Sequence, residues 1–139
     1  MLYVYLAGAV RGSKGTWREQ IPDIPDVCFM HPGAAIPGGN EERRTELYGP
    51  ADRVAVRKCD IVLANCDRIE HGHGTAVEIG MALALGKEIL LVCPSDETRY
   101  VWRFAVGSTP TIYSSLNEAV EVIRYAAAQV SGTARCAAP

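Results

Sequence analysis

The stretch His71-Gly72-His73-Gly74-Thr75-Ala76-Val77-Glu78-Ile79-Gly80 sets two imidazoles and one carboxylate just ahead of an apolar run. Three chemistries suit these residue types. An H-x-H pair can ligate a metal. Thr75 with Glu78 three residues on fits a capping box, where each side chain bonds the other's backbone N–H. A carboxylate in the first turn of a helix is also favoured in its ionised form by the helix dipole, and an ionised carboxylate is a nucleophile. The last two readings share one geometry and differ in whether a crevice reaches Glu78. The metal reading lacks company: His31 is the only other imidazole, and there is no H-E-x-x-H or Cys/His cluster. No metal is expected. A loop histidine that touches a substrate suits His73 better, with a merely solvated loop as the plain alternative.

Other residues raise similar questions. Gly8-Ala9-Val10-Arg11-Gly12-Ser13-Lys14-Gly15 is a glycine-rich, basic loop after an apolar strand, as phosphate cradles are. It matches neither G-x-x-x-x-G-K-[ST] nor G-x-G-x-x-G, so a plain turn stands beside an anion site. Arg11 favours the anion, because guanidinium grips phosphate bidentately. Tyr3 and Tyr5 share one strand face, and Tyr5 is either core or a hydroxyl aimed across a crevice. Asp60 opens an apolar run and Asp67 follows it; both also suit turns.

The elements that must position these groups alternate. Strands are expected at Leu2–Leu6, Val27–Met30, Ile61–Ala64, Glu88–Val92 and Thr111–Tyr113. Helices are expected over Thr16–Gln20, Glu41–Tyr48 (capped by Asn40 and stopped by Gly49), Ala51–Lys58 (begun by Pro50), Thr75–Leu85 (stopped by Gly86), Glu97–Ala105 and Leu116–Ala128. Strands apolar at every position that alternate with helices imply a parallel sheet covered on both faces. Five of them suggest a flavodoxin-like α/β fold, order 2-1-3-4-5, as a single domain over residues 1–130, with a disordered tail over 131–139. In that order the ligand crevice lies outside the carboxyl ends of strands one and three. Gly8–Gly15 and the Asn65–Gly74 segment leading to Glu78 follow those two ends.

A chain of 139 residues suits one domain with a real core. A formal charge of -2 gives no field that would draw in duplex nucleic acid or an acidic membrane. No apolar run is long enough to span a bilayer, and the apolar start MLYVYLAGAV reads as a strand rather than a signal peptide. The five cysteines are odd in number and lack a C-x-x-C pair, which points to reduced thiols and a cytoplasmic location.

Tyr5-Leu6-Ala7-Gly8, the pair Asp52 and Asp60 bracketing R-V-A-V-R-K-C, I-V-L-A-N-C-D over Ile61–Asp67, and G-T-A-V-E-I-G-M-A over Gly74–Ala82 with a following G-K together resemble the nucleoside 2-deoxyribosyltransferase family. The resemblance covers about the first two thirds of the chain. It implies the same flavodoxin-like fold, a nucleoside or nucleotide substrate, no cofactor, and a homodimer or higher homo-oligomer. It implies that Glu78 attacks the anomeric carbon of a deoxyribosyl group, that Tyr5 holds Glu78, and that Asp60 lies near the base. Gly8, Asp67, His73 and Gly74 fall in the expected substrate-binding segments. A neighbouring subunit is expected to complete the pocket through Gly107–Thr111, with Ser108 as the contributing residue. The family's second branch, the nucleoside 5'-monophosphate N-glycosidases, is similar at Gly8-Ala9-Val10-Arg11-Gly12 and implies that Arg11 holds the phosphate. Six residues before the glutamate the transferases tend to have Asp and the hydrolases Ser, whereas this chain has Gly72. A nucleotide-sensing module on the same fold is the non-enzyme alternative.

Overall fold

The computed structural model describes residues 1–9, 13–31, 41–69, 72–109 and 111–132, and for 13–15 and 41–48 it describes the backbone. Arg11, His71 and the 133–139 tail lie outside the described residues. Five strands, β1 (Leu2–Gly8), β2 (Val27–Met30), β3 (Ile61–Asn65), β4 (Glu88–Val92) and β5 (Ile112–Tyr113), form one sheet in the order β2-β1-β3-β4-β5. Every pairing is parallel, with Tyr5 beside Val62 and Gly8 beside Asn65. This is the flavodoxin-like order that the alternation of elements implies.

The period-two alternation of strand side chains splits the core into two layers. Leu2, Val4, Leu6, Ile61, Leu63, Leu90 and Val92 face one way, against Trp17, Ile24 and helix α5 (Leu116–Val130). Tyr5, Ala7, Val62, Ala64, Ile89 and Leu91 face the other way, against Val56 of helix α1 (Glu41–Lys58) and Ile79 and Ala82 of helix α2 (His73–Ala84). That second layer is where a polar group on β1 can meet polar groups on α1 and α2. Helices α3 (Asp96–Val101) and α4 (Arg103–Val106) follow β4, and a 3₁₀ helix over Ser13–Gln20 follows β1.

Three local expectations are corrected. Gly49 and Pro50 do not divide α1, which runs unbroken from Glu41 to Lys58 with Pro50 inside it. Pro50 is exposed, so the bond that its missing N–H forfeits lies where water replaces it. The glycine-rich loop after β1 is shorter than expected, because the 3₁₀ helix begins at Ser13. Helix α2 begins at His73 rather than Thr75, with Gly72 as its N-cap and no side chain capping it. Thr75 is buried within the first turn, so it caps nothing, and Glu78 lies in the second turn. Gly86 does end the helix in the left-handed conformation, at φ 65°.

Candidate active site

Tyr5 sits in the middle of β1 with no exposed surface, and its hydroxyl donates to Glu78 Oε1 at 2.7 Å. The bond joins a strand to a helix across 73 residues of sequence. Asp52, on α1, also acts on the Tyr5 hydroxyl. Asp52 stands one helical turn before Val56, which is fully buried, so the face that packs Val56 into the core carries Asp52 toward the same place. The fourth member is Arg18, from the 3₁₀ helix, whose charge acts on Glu78, Tyr5 and Asp52.

Burial decides the protonation of this cluster. Desolvation lifts the Glu78 carboxyl from 4.5 to about 7; Asp52 adds to the rise, while the Tyr5 hydrogen bond and Arg18 oppose it. The helix dipole does not hold this glutamate acidic, because Glu78 lies beyond the first turn, where the dipole's effect fades. Asp52 is also raised by burial, against the pull of Tyr5 and Arg18. Tyr5, buried and flanked by two carboxylates, is pushed far up and remains a neutral donor. The site therefore holds two carboxyl groups, one phenol fixed as a hydrogen-bond donor and one cation. Near neutral pH a single proton moves between ionised and neutral forms of Glu78.

The carboxyl end of β1 is shaped by Gly8. Its φ of 147° is a conformation that favours glycine, and a Cβ there would lie 3.0 Å from both the Asn65 carbonyl and the Trp17 ring. Asp67, half-buried, follows β3. His73 and Gly74 open α2 and are exposed, with open space around Gly74. Asp60 is not brought to the cluster: its Oδ2 accepts from the Tyr3 backbone N–H at 2.8 Å, and its own N–H bonds the Tyr3 carbonyl. An aspartate that opens a parallel strand lies at the amino end, whereas the crevice lies at the carboxyl ends. Of the two aspartates that bracket R-V-A-V-R-K-C, the structure gathers Asp52.

The opposite flank of α2 is apolar. A groove of about 470 Å³ runs between α2 and the α3–α4 segment, lined by His73, Ala76, Leu83, Trp102, Phe104 and Ser108 among others. Ser108 donates to the Phe104 carbonyl at 2.7 Å, so within one chain its hydroxyl serves its own helix. The Trp102 indole N–H donates to the Arg68 carbonyl at 2.8 Å, and its ring lies over Gly72. A Cβ on Gly72 would come within 2.5 Å of that ring. A side chain at this position would require the Trp102 indole to shift, since the indole fills its space. Among the described residues no three of His, Cys, Asp and Glu are grouped as metal ligands, and no helix is long and apolar enough to cross a membrane.

The sequence model of the family described as nucleoside 2-deoxyribosyltransferase matches residues 4–122. The chain belongs to the nucleoside 2-deoxyribosyltransferase family. It is thereby an enzyme of the N-glycosidic bond, a deoxyribosyl transferase or an N-glycoside hydrolase. Among solved structures it is similar to the 2-desoxiribosyltransferase from Leishmania mexicana, at 19% identity and TM-score 0.63 over 90% of this chain and 98% of that one. The 2-deoxyribosyltransferase from Bacillus psychrosaccharolyticus is 20% identical at TM-score 0.65, covering 85% of this chain and 90% of its own. The CMP N-glycosidase BcmB from Clostridium botulinum is 22% identical at TM-score 0.53, covering 89% and 98%. At these identities the likenesses speak for the shared fold. No curated protein sequence matches the chain.

Three members of the site carry no role in the sequence reading: Asp52, Arg18 and Trp102. Asp52 had a usable signal, a carboxylate on the same helical face as a buried valine. Arg18 follows a tryptophan in a short segment confined by Pro22, and nothing local marks it as inward-facing.

Proposed function

We propose that this family member cleaves or exchanges the N-glycosidic bond of 2'-deoxyribonucleosides through a covalent deoxyribosyl–Glu78 intermediate. The observation that carries the reading is the 2.7 Å bond from the Tyr5 hydroxyl to Glu78 Oε1, in a cluster that also holds Asp52 and Arg18. Tyr5 fixes one oxygen of the carboxylate and leaves the other to attack C1' of the sugar. The C1'–N bond breaks as the C1'–O bond forms, and its electron pair leaves with the base. Positive charge grows on the sugar as in glycoside hydrolysis, and the ionised Glu78 stabilises it before trapping it. The departing nitrogen takes a proton from solvent as it leaves. A second base then attacks C1' and restores Glu78, or water does so and releases the free sugar. A 2'-hydroxyl withdraws electrons from the reacting carbon, which favours deoxy substrates.

The hydrolase branch is the second reading, supported by Arg11 in Gly8-Ala9-Val10-Arg11-Gly12 and by the likeness to a CMP N-glycosidase. There Arg11 pairs with a 5'-phosphate. In either reading the working form is a homo-oligomer in which Ser108 of one copy closes the pocket of another. Light scattering together with activity measured across dilution tests that part: full activity in a monomer excludes it.

The deciding experiment incubates the protein with deoxynucleosides and deoxynucleoside monophosphates, with and without a second free base, and separates the products. Base exchange supports the transferase. Sugar or sugar phosphate released without an acceptor supports the hydrolase. Mass spectrometry of the quenched reaction tests the intermediate, because a deoxyribosyl adduct belongs on the peptide that carries Glu78.

A further inference from the structure

The last turn of the 3₁₀ helix places a guanidinium against the carboxyl end of β1. Arg18 Nη1 donates to the Ala9 carbonyl at 2.5 Å, and Nη2 donates to the carbonyls of Leu6 at 2.9 Å and Gly8 at 3.2 Å. Its guanidinium carbon lies 4.5 Å from the centroid of the Trp17 ring, and the Trp17 indole N–H donates to the same Ala9 carbonyl at 3.1 Å. The Nε atom is buried without a hydrogen-bond partner among the described residues. One side chain thus ties three backbone carbonyls together at the point where β1 leaves the sheet. A surface arginine does not do this, and burying it has a cost: desolvation pulls its pKa down. Glu78, Tyr5 and Asp52 oppose that shift, so the negative charge of the cluster is what makes the buried cation tolerable.

We propose that Arg18 is a positioning residue that fixes the end of β1 against the active site and favours the ionised form of the Glu78 carboxyl. The proposal rests on the reading of Glu78 as nucleophile. The groups that act on Glu78 come from three elements: Tyr5 on β1, Asp52 on α1 and Arg18 on the 3₁₀ helix. Tyr5 favours the ionised form by donating to it, Asp52 disfavours it by repulsion, and Arg18 favours it by attraction. Removing the cation leaves a buried carboxyl beside a second carboxyl, and such a pair retains its proton. Lysine keeps the charge but lacks the planar fork that spans three carbonyls, so it separates the two duties.

The test follows the Glu78 carboxyl by carbon-13 NMR across pH in the full chain, assigned by its loss in Glu78→Gln, for wild type, Arg18→Met, Arg18→Gln and Arg18→Lys. The expected wild-type midpoint is about 7. The neutral variants should move it up by roughly one unit, the lower end of the effect of an opposite charge nearby. Arg18→Lys should hold the midpoint while its kcat falls at all pH values. An unmoved midpoint in a folded neutral variant overturns the proposal and leaves Arg18 a purely structural tie. Should neither neutral variant fold, Arg18→Lys decides: a raised midpoint or an undiminished kcat overturns the proposal, and a held midpoint with lowered kcat supports it. The titration needs no turnover. A wild-type protein inactive on every nucleoside and nucleotide therefore sinks the proposed function while the charge coupling of Arg18 and Glu78 is still measured.

Discussion

Two places in this chain share one local pattern and use it differently. Ser115 and Glu118, at the start of α5, form a full capping box: Ser115 accepts from the Glu118 N–H, and Glu118 accepts from the Ser115 N–H. Thr75 and Glu78 carry the same spacing, yet Thr75 is buried within α2 and the Glu78 carboxylate turns to Tyr5. The difference lies in what each glutamate can reach. Glu118 lies at an exposed helix start, where backbone N–H groups are the available donors. Glu78 lies over a strand that offers a buried phenol. Spacing names a set of allowed partners, and the surroundings choose among them.

The largest effect that separates the two glutamates is on activity. Glu78→Gln keeps size and an acceptor oxygen but removes the nucleophilic charge. Turnover should fall by roughly three orders of magnitude or more, as for a lost covalent nucleophile. Glu118→Gln should leave turnover near wild type. Steady-state kinetics on the pair measures this directly, and equal losses would erase the distinction.

Tyr5→Phe is the next step down. It removes the 2.7 Å hydrogen bond and leaves the ring's packing. A loss of about ten- to a hundredfold in kcat/KM is expected from one buried, charge-assisted bond. The wild-type profile of kcat/KM should fall below about pH 7 as Glu78 takes up its proton. In Tyr5→Phe that limb should move to higher pH, because the bond to Tyr5 favours the ionised form. A limb that stays in place would show that some other group titrates.

Stability should separate the glutamates by sign. The Glu78 pKa is raised on folding, from 4.5 to about 7, so the native state binds its proton more tightly than the unfolded chain. Its ionised form therefore costs stability above about pH 7, and that cost is lost as pH falls from there toward 4.5. Glu78→Gln should stabilise the protein at pH 8, on the order of 1–3 kcal/mol, with little gain at pH 4. Ser115→Ala should instead destabilise it by about 1 kcal/mol, as loss of an N-cap does, with no such pH dependence. Thermal melts of both variants at the two pH values give the comparison.

A final variant tests why α2 starts without a capping side chain. Gly72→Ser supplies a good N-cap residue, yet its Cβ meets the Trp102 ring. It should cost about 1–3 kcal/mol from overpacking rather than gain from the cap. Trp102→Ala added to it should recover part of that loss. Independent, additive effects in the double variant would break the steric account.

The sequence by itself determined the frame. Apolar strands alternating with helices allow few arrangements, and right-handed crossovers select among them. The sheet order, the split of β1 into two faces and the place of Glu78 near the carboxyl end of β3 all follow from periodicity, which is a local property. The tertiary structure alone decided which polar groups meet. Asp52 and Asp60 are alike as residues, eight apart in one segment, and only the direction of a parallel strand puts Asp60 at the far end. Whether a side chain fits at the N-cap of α2 depended on Trp102, which lies 30 residues beyond Gly72 and covers it. The ionisation of Glu78 depended on burial and on groups from three other elements, Tyr5, Asp52 and Arg18. Desolvation and charge coupling act through space, and neighbours in space are not neighbours in the chain.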